Sequence, residues 1–490
     1  MHSCYEEMPY APGLKDSSSI LALNYKPVFE DSERGLMLFP IDEYGFFKAK
    51  ISKNFNGKLY VNSEQIPDDY EYDFGAIDCK TSFEVTLIKE SGDEENFHLY
   101  FSLLPLVKIE YNYEEILDDP KLPAKLTVVT TNSDVWYESA GIEIRGGSST
   151  SKPKKSYGIE IWDDYDSKRN KNISLFDMYH DDDWILDALY ADSSRIRNRV
   201  SFDLWNDMQV DAAERGNRTK FSGIKGRYIE LFLNNEYQGL YCLNERVEAK
   251  MLQIKKEQTG QQGYLYKSES WSGATTFSGL PELAIDESEH WSGWEQKYPA
   301  PDEGYDWKPL YNFVDFVVNC TDQQFKTSIG DCFVLDQAID FYILVNLIKG
   351  ADNVGKNIFL LSESGESPFY ISPWDMDATW GRDWLGYKVD SRSVMTFNLY
   401  RRIIEQNPEY FRENLKKRYT QLREEILTHD ALQQKFHHYF DVFEESGVII
   451  RENERWPEST VNIKREMDYL SNWSVERFSY LDNYFQHIDQ

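Results

Sequence analysis

Asp352 and Asn357 stand five positions apart in Ala351-Asp-Asn-Val-Gly-Lys-Asn, and Asp375 follows in Pro373-Trp-Asp-Met-Asp. All three side chains offer oxygen donors, the atoms a hard divalent cation prefers. Phosphoryl transfer needs such a cation on the donor phosphates and a carboxylate beside the attacking hydroxyl. Asp352 is the candidate carboxylate. Asn357 and Asp375, with Asp377 two residues on, are the candidate metal ligands. The rival chemistry is modest: Asp352 caps a turn, and Asp375 with Asp377 forms a solvated loop or a structural calcium site.

The surrounding pattern can position these groups. Ile339, Phe341, Tyr342, Ile343, Leu344, Leu347 and Ile348 form an apolar run that predicts a buried helix, with Gly350 just past its end. Asn357-Ile-Phe-Leu-Leu reads as a strand, Ser362 to Ser367 as a turn and Phe369-Tyr-Ile-Ser as the returning strand. Asp352, Asn357 and Asp375 then converge at one end of a hairpin. An Asp, an Asn five residues on and a second Asp after a short strand is the order in which protein kinases carry their catalytic and metal-holding side chains.

The chain has 490 residues, 41% of them hydrophobic and 15% aromatic, which is enough for two to four domains with ample cores. Its 84 acidic against 53 basic residues give a formal charge of −31. That balance argues against nucleic-acid backbones and anionic membranes as partners. No apolar run is long enough to span a bilayer. The first residues, Met-His-Ser-Cys4-Tyr-Glu-Glu, carry no charged and apolar export region. Cys4 is a candidate lipid-anchor site of an extracytoplasmic or cell-surface lipoprotein whose signal has been removed, and a cytoplasmic start is the alternative. The five cysteines have no metal spacing; Cys320 and Cys332 could bridge in an oxidising compartment, or remain buried thiols.

The fold class expected is α+β. After a tail over 1–20, residues 21–117 read as an all-β sandwich of short strands such as Leu36-Met-Leu-Phe and Phe83-Glu-Val-Thr-Leu-Ile. Asp118-Asp-Pro-Lys-Leu-Pro marks a boundary, and 118–490 is one mixed domain. Ile142-Glu-Ile-Arg, a Gly146-Gly-Ser-Ser-Thr-Ser turn and Lys155-Ser-Tyr-Gly-Ile-Glu-Ile form a hairpin; Arg195 to Met208 forms a helix; Tyr228-Ile-Glu-Leu-Phe-Leu and Gln238-Gly-Leu-Tyr-Cys-Leu form a second hairpin. Residues 268–308, rich in Trp, Gly, Ser and Pro, read as a long ordered loop or insert, and 409–490 as mostly helical.

Five segments in order resemble the spore-coat CotH kinase family. They are Ile144-Arg-Gly-Gly-Ser-Ser-Thr-Ser-Lys-Pro-Lys-Lys-Ser-Tyr, Asp192-Ser-Ser-Arg-Ile-Arg-Asn-Arg, Tyr228 through Glu245, Asp352 through Asn357, and Ser372-Pro-Trp-Asp-Met-Asp-Ala-Thr-Trp-Gly. The likeness covers roughly 125–480. It implies an atypical protein-kinase-like, two-lobed domain with a helical C-terminal part, which binds ATP with Mg²⁺ or Mn²⁺ and phosphorylates Ser or Thr of a protein. By position, Asp352 resembles the family's catalytic Asp, Asp375 its metal-binding Asp and Asn357 the companion ligand. Gly147 departs from the family's Arg-Gly-Asn; if that Asn touches nucleotide, the contact is missing here. The N-terminal β region lies outside the likeness.

The Gly146-to-Ser151 turn, with Ser148 in it, can cradle phosphates, and Lys154 and Lys155 can supply countercharge; an ordinary hairpin turn with exposed lysines is the alternative. It is not a Walker loop. Strand phase sets the two lysines on opposite faces, and Lys155 is taken as the catalytic one. Arg145 and Arg197 can bind phosphates or make surface salt bridges, and Asn198, early in its helix, can reach a neighbouring loop. Glu245 and Val247 follow the second hairpin, where a kinase-like fold links its lobes and holds adenine. None of the eight histidines forms a triad or zinc motif, and no Gly-x-Ser-x-Gly turn is present, which disfavours hydrolase readings. Two other functions use the same residues: transfer of AMP or an amino acid from the same nucleotide site, or a non-catalytic surface or assembly protein on a kinase-like fold.

Overall fold

The computed structural model describes residues 19–132, 134–217, 223–252, 254, 262–283, 288–300 and 303–490; Cys4 lies outside them. The chain is mixed α+β, with its strands concentrated towards the N-terminus and its helices towards the C-terminus. It divides into two compact units. One comprises residues 1–190, 226–245 and 441–460, the other 191–225, 246–440 and 461–490.

The first unit opens with two facing sheets. β1 (Leu21–Leu23), β2 (Lys26–Pro27), β5 (Gly45–Lys53) and β8 (Tyr70–Ile77) pair in the order β2-β1-β5-β8. β3 (Phe29–Asp31), β4 (Leu36–Pro40), β6 (Gly57–Val61), β7 (Glu64–Ile66), β9 (Phe83–Lys89) and β10 (Glu94–Ser102) form the sheet β3-β4-β10-β9-β6-β7. The alternation of Val85 and Leu87 with polar neighbours turns one face inward, where they meet Ala49, Ile51, Phe74 and Phe101 in one core.

A closed barrel follows: β11 (Leu106–Glu110), β12 (Leu122–Val129), β13 (Val135–Arg145), β14 (Ser156–Trp162), β15 (Asp183–Asp187), β16 (Gly226–Leu233) and β17 (Glu236–Glu245), in the order β11-β12-β13-β14-β15-β17-β16. Its closing contact is parallel, β11 with β16 from Leu106↔Glu230 to Ile109↔Leu233. β11 is therefore a barrel strand, although it precedes the expected boundary at 118. Ile142, Ile159, Ile161, Trp184, Leu231 and Tyr241 fill the interior.

The second unit carries α1 (Arg197–Glu214) and the sheet β19-β20-β18-β21-β22, made of β18 (Tyr264–Ser268), β19 (His290–Trp291), β20 (Trp294–Tyr298), β21 (Ile358–Ser362) and β22 (Tyr370–Pro373). Residues 268–308 thus supply two short strands as well as loop. The helices α2 (Lys308–Asn319), α3 (Asp322–Cys332), α4 (Leu335–Ile348), α5 (Asn398–Gln406), α6 (Phe411–Glu425) and α9 (Ile463–Gln486) complete this unit. α7 (His429–Glu445) carries the chain back to the first unit, which α8 (Val448–Arg455) ends. Every residue of α4 from Gln337 to Ile348 is buried, as apolar side chains on all sides of the helix require; its polar members Gln337, Asp340 and Asn346 are hydrogen-bonded to the Ile371 carbonyl, Arg418 and the Met395 N–H. The left-handed residue at its end is Lys349 (φ 54°) and not Gly350. Gly350 is small for another reason: a Cβ there would lie 2.5 Å from Asn353 Oδ1.

No helix among the described residues is long and apolar enough to cross a membrane. Cys79 and Cys242 are buried free thiols, and Cys320 and Cys332 are free and half-buried.

Candidate functional site

The predicted hairpin is present: β21 and β22 pair antiparallel from Ile358↔Pro373 to Leu361↔Tyr370. α4 delivers the chain to a short 3-10 turn, Asp352–Val354, that begins with Asp352. Four hydrogen bonds tie this turn and the end of the hairpin together. Asn353, 1% exposed, donates through Nδ2 to the carbonyls of Asn357 (2.9 Å) and Trp374 (2.7 Å). The Trp374 N–H donates to the Asn357 carbonyl at 2.9 Å. Asn357 Nδ2 donates to the Asp375 carbonyl at 3.4 Å.

Asn357 (φ 53°) and Asp375 (φ 47°) both occupy the left-handed region. Asn and Asp tolerate it better than other side chains, at some cost, and such positions cluster at functional sites. With its amide nitrogen held by the Asp375 carbonyl, Asn357 keeps its Oδ1 as the remaining donor atom. Asp375 is exposed and Asp377 half-buried. The Asn357 amide and the Asp375 and Asp377 carboxylates offer oxygen donors, the type that Mg²⁺ or Mn²⁺ takes. Burial raises the Asp352 carboxyl above its ordinary range, and the Lys356 charge opposes this. Asp352 is thereby closer to the working range of a base than a free aspartate is.

Two asparagines set the loop behind these side chains. Asn198 Oδ1 accepts from the Met376 N–H at 3.0 Å, fixing the residue between the two aspartates; this is the loop contact expected of it. Asn353 was not singled out from sequence, where only its place beside Asp352 could have marked it. Further on, Trp380 is fully buried, and it donates through its backbone to Ile348 (2.7 Å) and through Nε1 to Ser201 Oγ (2.9 Å).

The glycine turn lies in the first unit, between β13 and β14. Gly146 (φ 110°) is required there, because a Cβ would sit 2.0 Å from Ser149 Oγ. The turn is a 3-10 segment, Ser148–Ser151, in which Thr150 and Lys152 donate their N–H groups back to Gly147 and Ser149. The side chain of Ser148 is outside the description, and Arg145 is half-buried at the end of β13.

The two lysines differ sharply. Lys155 is half-buried and donates to the Thr150 carbonyl at 2.5 Å. Lys154 is fully buried, donating to Glu452 Oε1 (2.8 Å), Oε2 (3.0 Å) and the Leu240 carbonyl (2.5 Å), with its ammonium 4.5 Å from the Tyr241 ring centroid. The phase argument does not apply, because β14 begins at Ser156, after both lysines.

Arg197 is 1% exposed. It pairs with Asp192, donates to Ser194 Oγ (2.8 Å) and reaches Glu466 Oε2 at 3.2 Å. Its guanidinium is buried in an ion cluster of the second unit and borders a small cleft that Asp377 and Arg382 also line. Glu245, 4% exposed, accepts from the Tyr179 N–H at 2.6 Å, and Val247 is also buried. The chain passes from the first unit to the second between Glu245 and Arg246.

Comparison with known proteins leads to the same family. The family model described as CotH kinase protein matches residues 142–481. The chain is similar to Inner spore coat protein H of Bacillus subtilis (strain 168), 23% identical over 348 residues that cover 70% of this chain and 86% of that protein.

Proposed function

The chain belongs to the CotH kinase protein family, and from that premise we propose that it is an ATP- and Mg²⁺-dependent protein Ser/Thr kinase on a kinase-like two-lobed fold. The observation that carries this reading is the junction of Asn357 and Asp375. Two left-handed residues, one an amide and one a carboxylate, are tied to each other and to the turn that presents Asp352.

Each residue then has a role. Asp352 orients the acceptor hydroxyl and takes up its proton. Asp375 and Asn357, assisted by Asp377, are the residues that would hold Mg²⁺ or Mn²⁺. When bound, ATP with its metal supplies the phosphoryl group and the neutralisation of its charge. Of the two lysines we assign phosphate neutralisation to Lys154, because Glu452 holds it as kinases hold their nucleotide lysine on a helical glutamate. Lys155 is bound to the Gly146 turn and, with Arg145, Gly146 and Ser148, shapes the phosphate loop. Arg197 supports the metal loop from its ion cluster. The passage from one unit to the other after Glu245 fits the linker role expected of Glu245 and Val247. The transfer is in-line and mainly electrostatic.

The deciding experiment is the intact mass of the protein after incubation with ATP and Mg²⁺ or Mn²⁺, beside Asp352→Ala and Asp375→Ala. A gain of one or more phosphoryl masses in the wild type alone supports the kinase. A nucleotide-sized adduct assigns transfer of AMP instead. No adduct, together with no ATP binding by calorimetry, leaves the non-catalytic assembly role.

A further inference from the structure

Helix α8 serves two places at once. Glu452 holds Lys154, while Ile450, Arg451, Glu454 and Arg455 line a separate cavity of about 420 Å³. The facing walls come from the N-terminal sheets: Glu33–Leu36 at the turn into β4, Cys79 and Lys80 after β8, and His98 and Tyr100 on β10. All of these residues belong to the first unit. The N-terminal walls precede residue 142, where the family match begins. The volume falls within the range of small-molecule sites, roughly 300–1,000 Å³.

The floor is built and rigid. Tyr237 and Arg451 are 1% and 5% exposed. Both are held by the fully buried Glu230, which accepts from Arg451 Nε (2.8 Å) and Nη2 (2.6 Å), from Ser102 Oγ (2.5 Å) and from the Tyr237 hydroxyl.

The lining reverses the charge balance of the chain. It holds four Lys and Arg side chains against two Glu, in a protein with 53 basic and 84 acidic residues. Arg451 and Arg455 are committed to Glu230 and Glu236. Arg34 donates its backbone N–H to Asp31 Oδ1 at 3.1 Å, and its side chain meets Asp31 Oδ2 through Nε at 3.5 Å. Lys80 is exposed and acts on the Asp78 carboxyl through its charge, without a direct ion pair among the described residues. Glu33 and Glu454 are exposed at the rim. The cations open to a ligand are therefore Arg34 and Lys80. Leu36, Tyr100 and Ile450 (53% exposed) add apolar surface.

We propose that this cavity binds a small organic anion, a carboxylate or phosphate ester on an aromatic or branched aliphatic body, and that occupancy fixes α8 and with it the Lys154–Glu452 pair. The site itself is independent of the kinase reading; its regulatory consequence rests on it. α8 is only eight residues long and starts at Gly447 (φ 68°), where a Cβ would lie 2.5 Å from the Cys79 carbonyl oxygen. A ligand bridging Arg34 or Lys80 to Ile450 would thus brace a short helix from the side away from Lys154.

The test uses the full chain with phenyl phosphate, phenylacetate and inorganic phosphate as probes, titrated calorimetrically at constant ionic strength. Hydrogen exchange of residues 448–455 is followed in parallel. Saturable one-site binding of an aromatic anion is expected, weakened about tenfold or more in the double variant Arg34→Glu/Lys80→Glu and in Ile450→Trp. Slower exchange of α8 should accompany it. The two aromatic probes distinguish a phosphate ester from a carboxylate. No saturable binding, equal binding in all variants, or inorganic phosphate binding as tightly as the aromatic probes overturns the site. Binding without slower exchange overturns the coupling. None of these readings uses ATP, so loss of the kinase reading leaves them intact, and loss of binding leaves the kinase reading intact.

Discussion

Lys154 and Glu452, 298 residues apart in sequence, meet through two hydrogen bonds of 2.8 and 3.0 Å with both side chains fully excluded from solvent. The Leu240 N–H donates to the same carboxylate at 2.8 Å, and the Leu240 carbonyl accepts from the same ammonium. The pair therefore locks β17 to α8 within one unit.

Removing one partner strands the other charge in a low-dielectric interior. Lys154→Met should cost about 3–5 kcal/mol of stability, as broken buried pairs do. Lys155→Met loses a single bond to a turn carbonyl and should cost about 0.5–1.5 kcal/mol. Urea denaturation followed by tryptophan fluorescence compares them. The double variant Lys154→Met/Glu452→Leu should recover much of the loss yet leave ATP binding impaired. Equal costs for the two single lysine variants would refute the assignment of Lys154.

A second prediction concerns Asp352, whose carboxyl is raised by burial. A group with a raised folded pKa contributes stability that is fully present below its unfolded pKa, about 3.9. That contribution is lost as pH rises through the folded value, so ionised Asp352 is a liability at pH 7. Asp352→Asn should abolish phosphoryl transfer while raising the melting temperature at pH 7. The advantage should shrink as pH falls through the carboxyl range. Lower stability of the Asn variant at pH 7 would contradict the desolvated setting.

How far the sequence could be read depended on how local each feature is. The hairpin that carries Asn357 and Asp375 was legible because β21 and β22 lie close together and their apolar runs end where the oxygen donors begin. Asn198 was legible as a loop partner from its place near the start of α1. Glu452 was not, since nothing near it in a short charged helix points to a lysine 298 residues away. Barrel closure was equally hidden, because the parallel contact of β11 with β16 joins segments that look like the ends of separate hairpins. β19 has only two residues, too few for a periodic signal, so 268–308 read as a loop.

Asn353 tests whether the turn that begins with Asp352 must be tied to the hairpin. Its side chain makes two buried bonds that nothing else in the turn can replace. Asn353→Ala should cost about 1–3 kcal/mol through the carbonyls left unsatisfied. A catalytic group displaced by an ångström can lose about a hundredfold in rate, so kcat should fall by up to that factor. KM for ATP should change little. A variant with normal kcat would show that Asp352 is positioned without this tie.

Arg477 on α9 offers the last prediction. It is fully buried. It donates from Nε to the Asn346 carbonyl at 2.8 Å and from Nη1 to the Ser391 and Ser393 carbonyls, each at 2.6 Å, while Nη2 also reaches Asn346. Burial pulls the guanidinium down to about 10, so its charge is held against a desolvation penalty. What it contributes is geometry: a planar fork that gathers the C-terminal turn of α4 and the 391–393 segment. A lysine cannot span the same carbonyls. Asn346 lies six residues before Asp352, and a loosened α4 terminus would be felt in the turn that follows. Arg477→Lys should therefore speed hydrogen exchange across 349–357 and lower kcat, with the overall fold retained. Arg477→Met should do both more severely. Unchanged exchange at 349–357 in both variants would show that the α4 terminus is fixed by Trp380 and Asn353 alone.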